Sequence, residues 1–262
     1  METTVIRGLY RSLHWVSLIV IHLCFSYYLF DGWWYSAIGT LLMVLVGWLL
    51  WRDRAWETLG LKLSPRSLAI SIALAVLLIP LELAFMDAIA QAQGIVIHLA
   101  PVGHYVHDIF YCLNEEILLG AVLLNSLRKA LKWHSLWISC QVALAFSLLH
   151  FAFYQWIFAA KGTLIFATLA SLLFVGIVRN NTILSTGHIG FAWALHFSWM
   201  AVMFGNYHWY GNTGNFVSEV ERFNLYLGAP VIVGLSAVLA GLSAVPLIKH
   251  VPFGGKGHNH SI

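Results

Sequence analysis

The chain has 262 residues, of which 60% are hydrophobic and only 10% are charged. Soluble domains carry roughly 25% charged residues, so this composition excludes an ordinary soluble domain and is typical of a membrane protein. The net charge is only +3, and the basic residues lie in short segments between apolar runs, which argues against nucleic acid as a partner. We therefore expect a bundle of membrane-spanning helices surrounded by membrane lipids.

Eight apolar segments have the length of a membrane span, for which a helix needs about 20 residues. In chain order they cover residues 13–30, 33–51, 67–88, 109–127, 136–159, 163–178, 183–204 and 225–247. The predicted fold class is all-α, a polytopic membrane helical bundle of about eight transmembrane helices that forms one domain over residues 1–252. Residues 253–262 are expected to form a disordered tail.

The basic residues are unevenly distributed between the connections. If the chain starts inside, twelve of the 14 Lys and Arg residues fall on the inner side, among them Arg179 between the sixth and seventh spans. The positive-inside rule then predicts that both termini are cytoplasmic, as in a multi-pass protein of a cell membrane such as the bacterial inner membrane. Residues 52–66 are predicted to be a cytoplasmic interfacial segment, and residues 91–108 an external loop.

Ionisable side chains inside the predicted spans are candidates for function, because burying them in a membrane is costly. Helical rise is about 1.5 Å per residue, which places Glu115, His150 and His196 roughly 9, 14 and 12 Å from the outer ends of their spans. They share this layer although their helices alternate in direction, which favours one shared site. Three other buried ionisable residues are left out of that site: His14, His22 and Glu82.

The residues in this layer suggest hydrolytic chemistry. Adjacent glutamates on a helix point about 100° apart, so Glu115 and Glu116 are expected to have different roles. One glutamate can take a proton from water while His150 and His196 hold or polarise a substrate carbonyl. The alternative is a zinc site formed by His150, His196 and Glu115, with water in an open position.

The order and spacing of these residues resemble the CPBP family of intramembrane proteases, which includes the type II CAAX prenyl endopeptidases and bacteriocin self-immunity proteins. The resemblance covers about residues 59–203, and each of its motifs is short. The matching segments are Leu59-Gly60-Leu61, Glu115-Glu116-Ile-Leu-Leu-Gly120, Phe146-Ser-Leu-Leu-His150, and a block from Gly176 through Thr186-Gly187 to His196.

The resemblance implies catalytic roles for Glu115, Glu116, His150 and His196, with Glu115 activating water and the histidines positioning water or stabilising the oxyanion. The chain departs from the family pattern at two positions. Gly120 stands where the family has an arginine that would pair with Glu116 one helical turn away. Met200 stands where the family usually has asparagine, and methionine cannot donate a hydrogen bond to an oxyanion.

These features leave several functions open. The first is a protease that cleaves a membrane-embedded protein or a lipidated peptide. The second is a homologue without catalytic activity that serves as a scaffold or accessory subunit among other membrane subunits, and fold similarity alone does not decide between the two. A transporter with a proton-relay carboxylate is disfavoured because the sequence has no internal symmetry.

Overall fold

A computed structural model describes residues 16–25, 34–98, 102–131, 133–153, 166–203, 208–211 and 224–249. The α-helices of eight residues or more are α1 over 16–25, α2 over Tyr35–Trp51, α3 over Pro65–Gln91, α4 over Val102–Glu115, α5 over Leu124–Leu131, α6 over Ser135–Phe153, α7 over Phe166–Thr186, α8 over Gly190–Met203 and α9 over Pro230–Lys249. A π-helical segment, Glu116–Leu123, joins α4 to α5 without a break. His14 and the predicted tail lie outside the described residues.

Within the described residues, five helices are long and apolar enough to cross a membrane: Tyr35–Thr58, Pro65–Gln91, Tyr105–Arg128, Phe166–Thr186 and Pro230–Ile248. A shorter apolar helix covers Ser135–His150. Large apolar side chains are exposed on the outer faces of the helices. Leu77 on α3 is 69% exposed, and Leu242 on α9 is 62% exposed. Apolar surface of this extent needs an apolar surrounding, as a helical membrane bundle has.

The boundary between the sixth and seventh predicted spans differs from the sequence expectation. Helix α7 continues through Arg179, where the pattern predicted a loop after residue 178. It continues because its polar side chains are bonded inside the bundle, as when Asn180 Nδ2 donates to the backbone oxygen of Ser139 at 2.9 Å. The assignment of Arg179 to a cytoplasmic loop is therefore wrong, and the chain turns instead at residues 187–189.

A two-stranded antiparallel sheet interrupts the predicted all-α fold. Strand β1, Ile95–His98, pairs with strand β2, His208–Gly211, with Ile95 opposite Gly211. The sequence Ile-Val-Ile in β1 consists of β-branched residues, which favour an extended strand. The pairing brings the connection after α3 and the connection after α8 to the same end of the bundle.

The packing of α4 positions the residues of the predicted layer. Helix α2 packs along α4, where Thr40 Oγ1 donates to Asn114 Oδ1 at 2.7 Å and Asn114 Nδ2 donates to the backbone oxygen of Ser36 at 3.1 Å. A buried apolar cluster that includes Cys112 and Phe197 holds α8 on another side of α4. Helix α4 is therefore fixed on both sides just before its two glutamates.

Candidate active site

Glu115 is the centre of a buried cluster formed by three helices. Its Oε1 accepts a hydrogen bond from the hydroxyl of Tyr111 at 3.1 Å and lies 3.9 Å from Nε2 of His22 on α1. Its Oε2 lies 3.6 Å from Nε2 of His196 on α8. Glu115 is only 8% exposed, so these groups replace much of the water that would otherwise surround its carboxylate.

Glu116 forms a separate and tighter pair with Arg179 of α7. The Nε of Arg179 lies 2.7 Å and 2.8 Å from the two carboxylate oxygens, and its Nη2 donates to the backbone oxygen of Glu115 at 3.1 Å. Both side chains are buried, and the guanidinium also lies over the ring of Phe146 at 5.1 Å. Because arginine stays charged in proteins, Glu116 is paired here as a carboxylate acceptor.

Gly120 leaves the space that this pair needs. A Cβ atom at Gly120 would lie 2.8 Å from Glu116 Oε2 and 2.7 Å from Cδ1 of Ile183, both closer than real Cβ atoms come. No larger side chain fits at this position without moving the carboxylate. The cation beside Glu116 is thus supplied by Arg179 from another helix, while the position one turn along its own helix stays small.

His196 connects the two glutamates. Its Nδ1 lies 3.0 Å from Glu116 Oε1, and since that oxygen belongs to a carboxylate, Nδ1 carries the proton and donates. Its Nε2 lies 3.6 Å from Glu115 Oε2, so a proton on this nitrogen can pass between the ring and that carboxylate. A buried carboxylate therefore sets the tautomer and orientation of an imidazole that faces a second carboxylate, an arrangement that also positions the histidine in hydrolytic triads.

His150 stands beside this cluster on α6. Its Nδ1 donates to the backbone oxygen of Phe146 at 2.8 Å, because a carbonyl oxygen can only accept. In the neutral imidazole, Nε2 is therefore an acceptor. His150 lies within electrostatic reach of Glu115 and His196. The four residues predicted from the sequence thus share one region, with Glu115, Glu116 and His196 in direct contact.

The predicted zinc set does not fit this arrangement. Among the described residues, no group of three or more His, Cys, Asp or Glu side chains is placed to hold a metal ion. Glu115, His150 and His196 therefore carry no metal-dependent step in the mechanism considered below.

Three members of the cluster were missed by sequence analysis: His22, Tyr111 and Arg179. Leaving His22 out of the site was wrong, because α1 is rotated so that this side chain faces Glu115. The unpaired glutamate implied by Gly120 was a signal for a cation from another helix, but the sequence did not say which. Tyr111 could have been predicted from helical spacing alone, because it lies four residues before Glu115 and therefore on the same helix face.

Glu82 and Met200 lie in different surroundings. Glu82 accepts a hydrogen bond from Ser198 at 3.2 Å and makes none of the contacts that define the Glu115 cluster. Met200 packs on the apolar cluster that contains Tyr111.

No protein-family model, curated protein or solved structure matches this chain. Fold and site together define a helical membrane protein with a buried cluster of two glutamates, histidines and an arginine.

Proposed function

We propose that this chain is an intramembrane hydrolase of the CPBP type that cleaves a peptide bond in a membrane-embedded or lipidated substrate, with Glu115 as the base. The observation that carries the proposal is the contact of the buried Glu115 carboxylate with two imidazoles and a hydroxyl. A structural carboxylate can be satisfied by donors that do not exchange protons, such as backbone amides. Glu115 instead has several proton-exchanging groups around it, as a general base requires.

The reaction assigns one role to each group. Glu115 takes a proton from a water molecule that Nε2 of His150 holds, and the hydroxide attacks the carbonyl carbon of the substrate. The bond between that carbon and the amide nitrogen then breaks, and the proton on Glu115 moves to the leaving nitrogen. The products are a carboxylic acid and an amine, and a proton moving from the acid to the amine gives a carboxylate and an ammonium group. Glu116 and Arg179 are positioning residues that orient His196 beside Glu115.

The Tyr111 hydroxyl compensates for Met200 in this proposal. It is a neutral donor at Glu115, 3.1 Å from the carboxylate, and can turn to an oxyanion that forms next to it. Removing a donor of this kind typically lowers the rate about 10²-fold to 10³-fold. Tyr111→Phe is therefore expected to lower kcat in that range while KM changes little.

The proposal also includes the arrangement in the membrane: eight spans, both termini cytoplasmic, in a cell membrane such as the bacterial inner membrane. Removing Arg179 from the twelve inner basic residues leaves eleven against two, so the charge bias is still strong. The turn at residues 187–189 contacts the predicted cytoplasmic segment, where Ile189 N donates to the backbone oxygen of Gly60 at 3.0 Å. This contact and the β1 to β2 pairing fit an alternating path of the chain.

The proposal is tested with purified protein in lipid vesicles that also contain a library of apolar and lipidated peptides, with products read by mass spectrometry. The unaltered protein is expected to generate new peptide termini, and Glu115→Gln is expected to abolish them. Glu82→Gln is the matched control, because Glu82 is also a carboxyl within a predicted span but bonds to Ser198 outside the cluster. Cleavage retained by Glu115→Gln would contradict the assignment of the base.

A second function, scaffold or accessory subunit of a larger membrane complex, is favoured by one specific feature. Met200 places a thioether where an amide donor is expected, and it packs within an apolar cluster. The open apolar faces of α3 and α9 fit partner helices as well as lipid. Stoichiometric co-purification with other membrane subunits, unchanged by Glu115→Gln and without any peptide cleavage, would support this function over hydrolysis.

A further inference from the structure

A ladder of polar side chains runs along one face of α4 toward Glu115. His107, Tyr111 and Glu115 are spaced by four residues, so they lie on one helix face. Each step is a contact: the rings of His107 and Tyr111 stack with centroids 5.6 Å apart, and the Tyr111 hydroxyl donates to Glu115 at 3.1 Å. His22 lies beside the ladder, 5.8 Å from the Tyr111 ring and 3.9 Å from Glu115.

The outer end of this ladder is partly exposed, and the groups further along α4 are buried. The His107 side chain is 33% exposed, whereas those of Asp108 and Glu115 are 7% and 11% exposed. One oxygen of Asp108 lies 3.3 Å from Nδ1 of His107, and the other is buried without a hydrogen-bond partner within the described chain. A buried carboxylate oxygen without a protein partner is a polar group that water satisfies.

We propose that this face of α4 is the aqueous route to Glu115, along which water enters and protons exchange between the buried carboxylate and the N-terminal end of the helix. Hydrolysis consumes one water molecule in each turnover, and apolar side chains cover much of the remaining surface of α4. Water is stabilised far better beside these hydroxyl, imidazole and carboxylate groups than beside such surface.

The need for a water route rests on the proposed function, because a hydrolytic site consumes water. The geometry of the route is independent of that function. The titratable groups that act on the Glu115 carboxylate from neighbouring helices are His22, His150 and His196. Cys112 lies within electrostatic reach of Glu115 and also of Asp108, Glu116 and Arg179. His107 pairs with Asp108 at the outer end of the ladder.

Hydroxyl-radical footprinting of the unaltered protein in lipid nanodiscs tests the route directly, since the radicals form from water. Tyr111 and Tyr226 make a matched pair: both are buried, at 6% and 3% exposure, but only Tyr111 lies on the ladder. We expect oxidation of Tyr111 to be several-fold faster than oxidation of Tyr226. Equal protection of the two tyrosines would overturn the route. Because no substrate is used, a protein that cleaves nothing can still show the route.

Cysteine labelling locates the route along the helix, in a background without the three native cysteines. A water-soluble maleimide is expected to react with His107→Cys and then more slowly with Tyr111→Cys. Two controls are expected to stay unlabelled: Leu113→Cys, which lies on another face of α4, and Leu77→Cys, which faces lipid. Labelling of Leu113→Cys as fast as Tyr111→Cys would contradict the route.

Discussion

At the scale of single residues, the charge of Glu116 is neutralised by a cation from another helix. Its partner is Arg179 on α7, and Gly120 on its own helix leaves the space that the Glu116 carboxylate occupies in this pair. Gly120 and Arg179 look unrelated in the sequence, because one lies within a buried helix and the other near the end of a different helix. Both are needed for the same buried ion pair with Glu116. A cation from a different helix also joins α4 to α7 at the site.

Gly120→Ala tests whether a small residue is needed beside the Glu116 carboxylate. The added methyl group would overlap Glu116 Oε2 and Ile183, so we expect a loss of about 1–3 kcal/mol in the free energy of unfolding. Gly234→Ala in α9 is the control, because nothing lies within 4 Å of its new Cβ and alanine favours a helix by about 1 kcal/mol over glycine. Denaturation with sodium dodecyl sulfate measures both. Equal effects of the two substitutions would contradict the crowding at Gly120.

The pair itself is tested by a double-mutant cycle. Arg179→Gln leaves the buried Glu116 carboxylate without its cation, and breaking a buried pair in this way typically costs about 3–5 kcal/mol. Adding Glu116→Gln removes the charge and is expected to recover part of the loss. The same denaturation gives the coupling energy. Strictly additive effects would show that the two side chains do not interact.

The sequence predicted the acidic and imidazole parts of the site but not their supports. Glu115, His150 and His196 could be found because helical rise fixes depth, and depth does not depend on how a helix is rotated. His22 and Arg179 could not be found in this way. Whether His22 faces Glu115 depends on the rotation of α1, and Arg179 looked like a loop residue because the apolar segment before it ends at residue 178.

At the scale of elements, the π-helical segment begins at Glu116, where the site is formed. Such segments are rare and often occur at functional sites. Behind it, the Leu59-Gly60-Leu61 element supports the site region from the other side. Gly60 has a φ of +69°, which favours glycine, and its Cβ would lie 2.6 Å from Ile189 and 2.8 Å from Ala121 of the π-helical segment.

Gly60→Ala is therefore expected to be more destabilising than Gly187→Ala. Both residues have positive φ, so each substitution costs about 1–2 kcal/mol in backbone strain. Only Gly60 also has close neighbours, since nothing lies within 4 Å of a Cβ at Gly187. The difference between their free energies of unfolding measures this overlap. A larger effect at Gly187 would rule out the close packing of the Gly60 turn.

At the scale of the whole molecule, the predicted path of the chain puts both termini on the cytoplasmic side. Apolar composition and length were enough to predict the apolar helices, but not the antiparallel strands, whose pairing depends on residues more than 100 positions apart. With both ends inside, a fluorescent protein fused after Ile262 should fluoresce in bacterial cells. Alkaline phosphatase fused at the same point should be inactive. Active phosphatase would contradict the topology.

The measurement that tests the central claim most directly is hydrolysis in water enriched with ¹⁸O, in vesicles that contain the protein and the peptide library. If the Glu115 carboxylate activates water, each new carboxyl terminus carries ¹⁸O, and the signal disappears in Glu115→Gln but not in Glu82→Gln. New termini without ¹⁸O, or the same ¹⁸O signal in Glu115→Gln, would contradict the account.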